Sequence, residues 1–137
     1  MKNIDNLGVL FVDDERALLD GINRIARKCR PSWKLLFSSS IPDAIDVIKD
    51  RSKEIDVCVC DISMPILSGL DVLRILKTVY PNIVRITYSG QLDGITLIRS
   101  DRVSEDHVVK PMPTEDLCDV ITKAYLSHWQ RCDLTSQ

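Results

Sequence analysis

The residues best suited to chemistry are carboxylates, a hydroxyl and an amine, each at the end of a short apolar run. "VLFVDDER" (residues 9–16) carries a largely apolar stretch straight into Asp13 and Asp14. Adjacent anions at a core edge are costly: two unit charges about 4 Å apart repel by on the order of 4 kcal/mol at an effective dielectric near 20. A cation is therefore expected beside them. "IDVCVC" runs into Asp61, "NIVRITYS" ends on Ser89, and "DHVVK" ends on Lys110, followed by Pro111. A cluster of oxygen ligands with carboxylates, completed by water and phosphate oxygens, suits Mg²⁺. Ser89 and Lys110 can hydrogen-bond and neutralise a phosphoryl group. Asp61 is the carboxylate best placed to act as a nucleophile and form an acyl phosphate. Each signal alone is weak, because an Asp after a strand is often a helix cap and Lys-Pro is a common dipeptide. Their conjunction is strong, because each falls at a different strand end.

These residues converge only if the runs that carry them lie side by side. Strands are expected at 7–12, 34–38, 55–60, 82–89 and 106–110, the first continuous and β-branched as a strand buried on both faces would be. Between them stand segments of helical period. Asp14 is expected to cap the first helix, with Glu15 in its first turn and Leu18, Leu19, Ile22, Ile25, Ala26 and Cys29 on its inner face; Pro31 stops it. Ser40 with Pro42 opens the second, whose inner stripe is Ala44, Ile45, Val47 and Ile48. A loop with Pro65 and Gly69 precedes the third, 92–100 reads as a short, weak fourth, and Thr114 caps a last helix over 114–129. Five strand–helix alternations predict an α/β fold with parallel strands and right-handed crossovers. Ligands of such open sheets bind beyond the carboxyl ends of the strands, where these polar residues gather. One domain over 1–137 is expected, with a core of about 7–128 and 129–137 as a tail or the start of a linker.

Composition closes off several classes. The net charge of −2 provides no basic field for nucleic acid. No apolar run reaches membrane-spanning length and "MKNIDNLG" lacks a signal-peptide core, so the cytoplasm is the expected location. Five cysteines, an odd number, argue against a disulfide framework. "CVC" at 58–60 reads as small hydrophobes in a buried strand, since no C-x-x-C pair or cysteine–histidine cluster supports zinc.

The ordered set "VDDE", "DISMPILSGLDVL", "RITYSGQ" and "HVVKP" resembles the response-regulator receiver domains of two-component signalling, over almost the whole chain. The resemblance implies a flavodoxin-like, doubly wound fold, a five-stranded parallel sheet of order 2-1-3-4-5 flanked by five helices. It implies that Asp61 accepts a phosphoryl group from a sensor histidine kinase or phosphotransfer protein. Mg²⁺ would be held by Asp13, Asp14, Asp61 and the main-chain carbonyl of Ser63. Ser89 and Lys110 would contact the phosphoryl group. Such a domain assists its own phosphorylation and dephosphorylation, and does not turn over an external substrate. It signals to an output domain or effector protein through the face of the fourth helix, fifth strand and last helix, where Ile95, Ile98, Leu117, Ile121 and Tyr125 lie. A homodimer through that face is a further implied partner; direct nucleic-acid and membrane contacts are not.

His107 stands where the family usually has the switch Tyr or Phe, so Ser89 and His107 are the expected switch pair. Without phosphorylation, the His107 ring is expected to point outward and be solvated. Thr87 and Ser89 share one strand face; Ser89 is chosen as the site hydroxyl because Gly90 follows it. "VRITYSGQ" with "RVSEDHVVKP" is also similar to receivers that precede HDOD or HD-GYP output domains. The alternative reading is a pseudo-receiver, a protein-interaction module that works without phosphorylation. An aspartyl-phosphate hydrolase would typically use D-x-D, whereas Asp61 begins "DIS"; a flavin binder would not place "DDE" where phosphate must sit.

Overall fold

The computed structural model describes residues 1–63, 69–90, 99 and 101–135. Its five strands are β1 (Gly8–Val12), β2 (Lys34–Ser38), β3 (Val57–Cys60), β4 (Val84–Ser89) and β5 (Asp106–Val109). They form one sheet of order β2-β1-β3-β4-β5, every pair parallel. Four longer helices are described: α1 (Arg16–Cys29), α2 (Ile41–Arg51), α3 (Gly69–Val79) and α4 (Thr114–Thr135).

β1, β3 and β4 are buried along their whole length; β1 and β3 read as unbroken apolar runs, as strands covered on both faces do, while β4 alternates, burying Arg85, Thr87 and Ser89 as well. Strand parity sorts their side chains into two cores. Val9, Phe11, Val57, Val59 and Ile86 pack with Leu19, Ile22 and Ala26 of α1 and with Leu117, Ile121 and Tyr125 of α4. Leu10, Val12, Cys58 and Cys60 face the other way, against Ala44 and Ile48 of α2 and Leu73 and Leu76 of α3. Burial of such an aliphatic or aromatic side chain contributes about 1.5–3 kcal/mol, so each strand is fixed in register by what its two faces must cover.

That register lines up the strand ends. Val12 lies opposite Ser38 and Cys60, Cys60 opposite Thr87, and Ser89 opposite Val109. The ladder runs one residue further: Asp13 N donates to Ser38 O at 3.1 Å, Asp61 N to Val12 O at 2.9 Å and Lys110 N to Ser89 O at 2.8 Å. Asp13, Asp61 and Lys110 are thus held by backbone bonds at the same edge.

Local structure departs from expectation in three places. Glu15, not Asp14, occupies the N-cap of α1, without a side-chain capping bond. Asp13 Oδ1 accepts from Glu15 N at 2.9 Å instead, so the buried carboxylate orders this turn and Asp14 stays exposed. At α2 the cap is as expected, with Ser40 Oγ accepting from Asp43 N at 3.3 Å. α4 continues to Thr135 because residues past 128 have partners: Trp129 packs against the first core and Arg131 pairs with Glu105. Leu117, Ile121 and Tyr125, named for the partner face, are no more than 1% exposed, so they belong to the core. Ile95, Ile98, Pro65 and most of the expected fourth helix lie outside the described residues. No helix among the described residues is long and apolar enough to cross a membrane.

Candidate functional site

The carboxyl edge of the sheet brings together six of the residues named from sequence: Asp13, Asp14, Asp61, Ser63, Ser89 and Lys110. Asp13 and Asp61 are 3% and 4% exposed, while Asp14 is exposed at the rim. Carboxylate oxygens of the three lie within 4.8 Å of one another. Lys110 Nζ reaches Asp13 Oδ2 at 2.6 Å and Asp61 Oδ2 at 3.4 Å, with Glu15 Oε1 at 3.8 Å. It supplies part of the positive charge that the acidic cluster calls for. The Tyr88 ring lies 5.5 Å from the same amine, a further favourable contact for a cation and one that no motif in the sequence marks.

Asp61 is oriented by two donors on one oxygen. Ser63 N donates to Oδ1 at 2.8 Å and Ser89 Oγ donates to it at 3.0 Å. Ser89 Oγ in turn accepts from Ile62 N at 3.0 Å, so the hydroxyl direction is fixed from both sides. Thr87, two residues earlier on the same face, serves a different neighbour. Its Oγ1 lies 2.6 Å from His107 Nδ1 and 3.4 Å from Asp106 O. His107 is therefore not outward and solvated. Its ring is half-buried between Thr87 and Asp101, whose Oδ1 bonds Nε2, and Ser104 Oγ lies 3.4 Å from Nδ1. The reason is local: β5 pairs His107 directly with Thr87, whose hydroxyl can bond an imidazole nitrogen.

The electrostatics follow from burial. Burial pushes the Asp13 carboxyl above the usual carboxylate range, and Asp61 adds to this; the hydrogen bonds from Lys110 and Glu15 N and the Lys110 charge offset only part of the rise. Burial works against the charged Lys110 amine, but its hydrogen bonds and attraction to Asp13 and Asp61 outweigh that, so its pKa stands above the ordinary lysine value. One amine is thus shared among more carboxylates than it can neutralise.

Gly69 explains part of the motif after Asp61. A Cβ there would stand 2.0 Å from Asp61 O and 2.8 Å from Cys60 Sγ. Only glycine lets the start of α3 press against the backbone that carries Asp61. The Lys110–Pro111 peptide is cis. The donor set of three carboxylates, all oxygen, fits a hard divalent cation such as Mg²⁺.

Comparison with known proteins agrees with this geometry. The model of the family described as response regulator receiver domain matches residues 9–122. The hydrogenase transcriptional regulatory protein HoxA of Cupriavidus necator is 30% identical over 120 residues, covering 85% of this chain and 23% of its own length. The response regulator protein TodT of Pseudomonas putida is 30% identical over 125 residues, covering 88% of this chain and 52% of its own length. This chain thus spans about half or less of these relatives. A CheY-like response regulator receiver domain protein from Methanospirillum hungatei superposes with a TM-score of 0.82 at 18% identity, covering 92% of this chain and 98% of that one, which establishes the shared fold. With the sheet order, the strand-end residues and the family match in agreement, this chain belongs to the response regulator receiver domain family of two-component signalling.

Proposed function

We propose that this receiver takes a phosphoryl group on Asp61 and that Asp13, Asp14, Lys110, Ser89 and Ser63 form the apparatus around it. The observation that carries the reading is the charge imbalance: Lys110 pairs with Asp13, Asp61 and Glu15, and the carboxylate of Asp14 lies within 4.8 Å of those of Asp13 and Asp61. Asp13, Asp14 and Asp61, with the main-chain carbonyl of Ser63, would hold Mg²⁺. Bound there, the ion would supply charge neutralisation for phosphoryl oxygens among the carboxylates.

The residues of the chain do the rest. A carboxylate oxygen of Asp61 forms the new O–P bond as the N–P bond of a phosphohistidine breaks, and the imidazole leaves with its electron pair. Lys110 neutralises a phosphoryl oxygen and the Ser89 hydroxyl donates to another, both by charge-assisted bonds. Ser89 then exchanges its bond to Asp61 for one to the phosphoryl group. Such a shift at the end of β4 is felt at β5 through the Thr87–His107 contact, which biases two arrangements of the neighbouring segment. The phosphodonor is a sensor histidine kinase or phosphotransfer protein, the recipient of the signal an output domain or effector protein, and the location cytoplasmic.

The test is incubation with acetyl phosphate and Mg²⁺, followed by intact mass measurement. One phosphoryl adduct, removed by hydroxylamine as an acyl phosphate is and absent in Asp61→Asn, is expected. An adduct of the same stoichiometry on Asp61→Asn, or none on the wild-type protein, would overturn the assignment.

A further inference from the structure

A second cluster of polar side chains lies at the opposite end of the sheet, where Glu105 leads into β5 and the last turns of α4 pass over it. His128 is 8% exposed, although it carries a titratable ring. Its Nδ1 meets Glu105 Oε1 at 2.5 Å, and its Nε2 faces Cys132 Sγ at 3.7 Å, one helical turn further on. A carboxylate can only accept, so the bond to Glu105 puts the ring proton on Nδ1 and leaves Nε2 as the acceptor for the thiol proton. Glu105 is itself held in place, by Arg131 Nη2 at 2.9 Å and by Arg85 N, which donates to its Oε2 at 3.2 Å. Nucleophile, base and orienting carboxylate thus stand in line, the arrangement that activates a thiol.

The other cysteines contrast with it. Burial pushes the Cys58 thiol up to about 12, Cys118 up to about 11 and Cys60 well above its ordinary value. Cys29 is also raised, by burial and then by the neighbouring Glu115. None of those four has a histidine bond among the described contacts, and three are buried from any reagent. Cys132 is partly exposed and bonded to an oriented imidazole.

We propose that Cys132 is a thiol modification site at which His128 acts as general base and Glu105 positions it, and that its reagent is a low-molecular-weight disulfide. The thiol proton passes to His128 Nε2 and the sulfur attacks one sulfur of the disulfide. That S–S bond breaks, a mixed disulfide forms on Cys132, and the departing thiolate takes the proton from the imidazolium to leave as a thiol. The external disulfide is reduced by the two electrons that oxidise Cys132, so the exchange balances.

The test treats the whole chain with oxidised glutathione and, separately, with iodoacetamide, and maps adducts by peptide mass over time and pH. Cys132 should react about tenfold faster than Cys29, the other partly exposed cysteine. His128→Gln should remove most of that advantage and alter the pH–rate profile of Cys132, leaving that of Cys29 unchanged. Glu105→Gln should give a smaller loss of the same kind. Equal rates at Cys132 and Cys29 in the wild-type protein would overturn the proposal, whatever the variants do. So would a Cys132 rate and profile that His128→Gln leaves intact.

Discussion

The two ends of the sheet each gather buried charge, and they do so with opposite balance. At the carboxyl edge, Lys110 faces Asp13, Asp61 and Glu15, with Asp14 beside them. At the amino edge, Glu105 faces Arg85, Arg131 and His128. Arg85 is 8% exposed, and its guanidinium also donates to the carbonyls of Val103, Ile83 and Pro81. Each of these groups at the amino edge has a counterpart supplied by the chain itself, and the cluster ties β4, β5 and α4 together. The carboxyl edge keeps an excess of acceptors. An edge where one carboxylate faces two guanidiniums has no surplus of anions, so among the described residues only the carboxyl edge has a place for a cationic ligand.

Removing the hub of the amino-edge cluster should give the largest change in stability. Glu105→Ala leaves Arg85 without its carboxylate at a buried position, and should cost about 3 kcal/mol in denaturant unfolding. A loss no larger than that of an exposed pair, about 0.5 kcal/mol or less, would mean that the backbone carbonyls alone satisfy Arg85.

At the other end the sign reverses. The pKa of Asp13 is raised in the fold, so the folded state binds more protons than the unfolded one between the two values. Stability therefore falls as pH rises from the ordinary carboxylate range, about 3.8, through the raised folded value, above which the whole cost is present. Asp13→Asn should stabilise the protein by about 1 kcal/mol, a rise in melting temperature of roughly 4 °C, while weakening Mg²⁺ binding. Thermal melts and Mg²⁺ titration of the same sample check both halves; a destabilised Asp13→Asn would mean that the Lys110 pair contributes more than the burial costs.

Lys110 titrates in the opposite sense. Its pKa is raised in the fold, so its contribution is fully present below about 10.5 and is lost as pH rises through the higher folded value. Lys110→Met should flatten the alkaline limb of a stability–pH curve and leave the acid limb in place.

Glu54 should give the smallest effect. Its hydrogen bond to Arg51, followed by that to Lys34, lowers its pKa from 4.5 to about 2, so its contribution is present above about 4.5 and disappears as pH falls toward 2. The pair is exposed and screened, so Glu54→Gln should shift the acid midpoint only slightly, and not at all in high salt.

The sheet is legible in the sequence because short apolar or β-branched runs alternate with helical segments, β1 and β3 being continuous, and end on polar residues. Asp13, Asp61, Ser89 and Lys110 can be read in place because parallel pairing in register must bring such ends together. The caps are less legible. Asp14 and Asp13 are equally good capping residues by type, and only the Lys110 contact and the bond to Glu15 N decide that Asp13 turns inward. The reach of α4 is hidden because "QRCDLTSQ" lacks an inner stripe; Glu105, distant in sequence, supplies the partners that extend the helix. The His107 ring escapes a sequence reading for a similar reason. Its orientation depends on Thr87, a hydroxyl that in one dimension figures only as a rival to Ser89.

If only the carboxyl edge awaits a cation, Mg²⁺ titration followed by amide NMR shows it most directly. Saturable shifts are expected at residues 13–15, 61–63, 89 and 110, with Arg85, Glu105, His128 and Arg131 unmoved, and those shifts should be lost in Asp13→Asn. Shifts of similar size at both ends of the sheet, or none at the carboxyl edge, would contradict it.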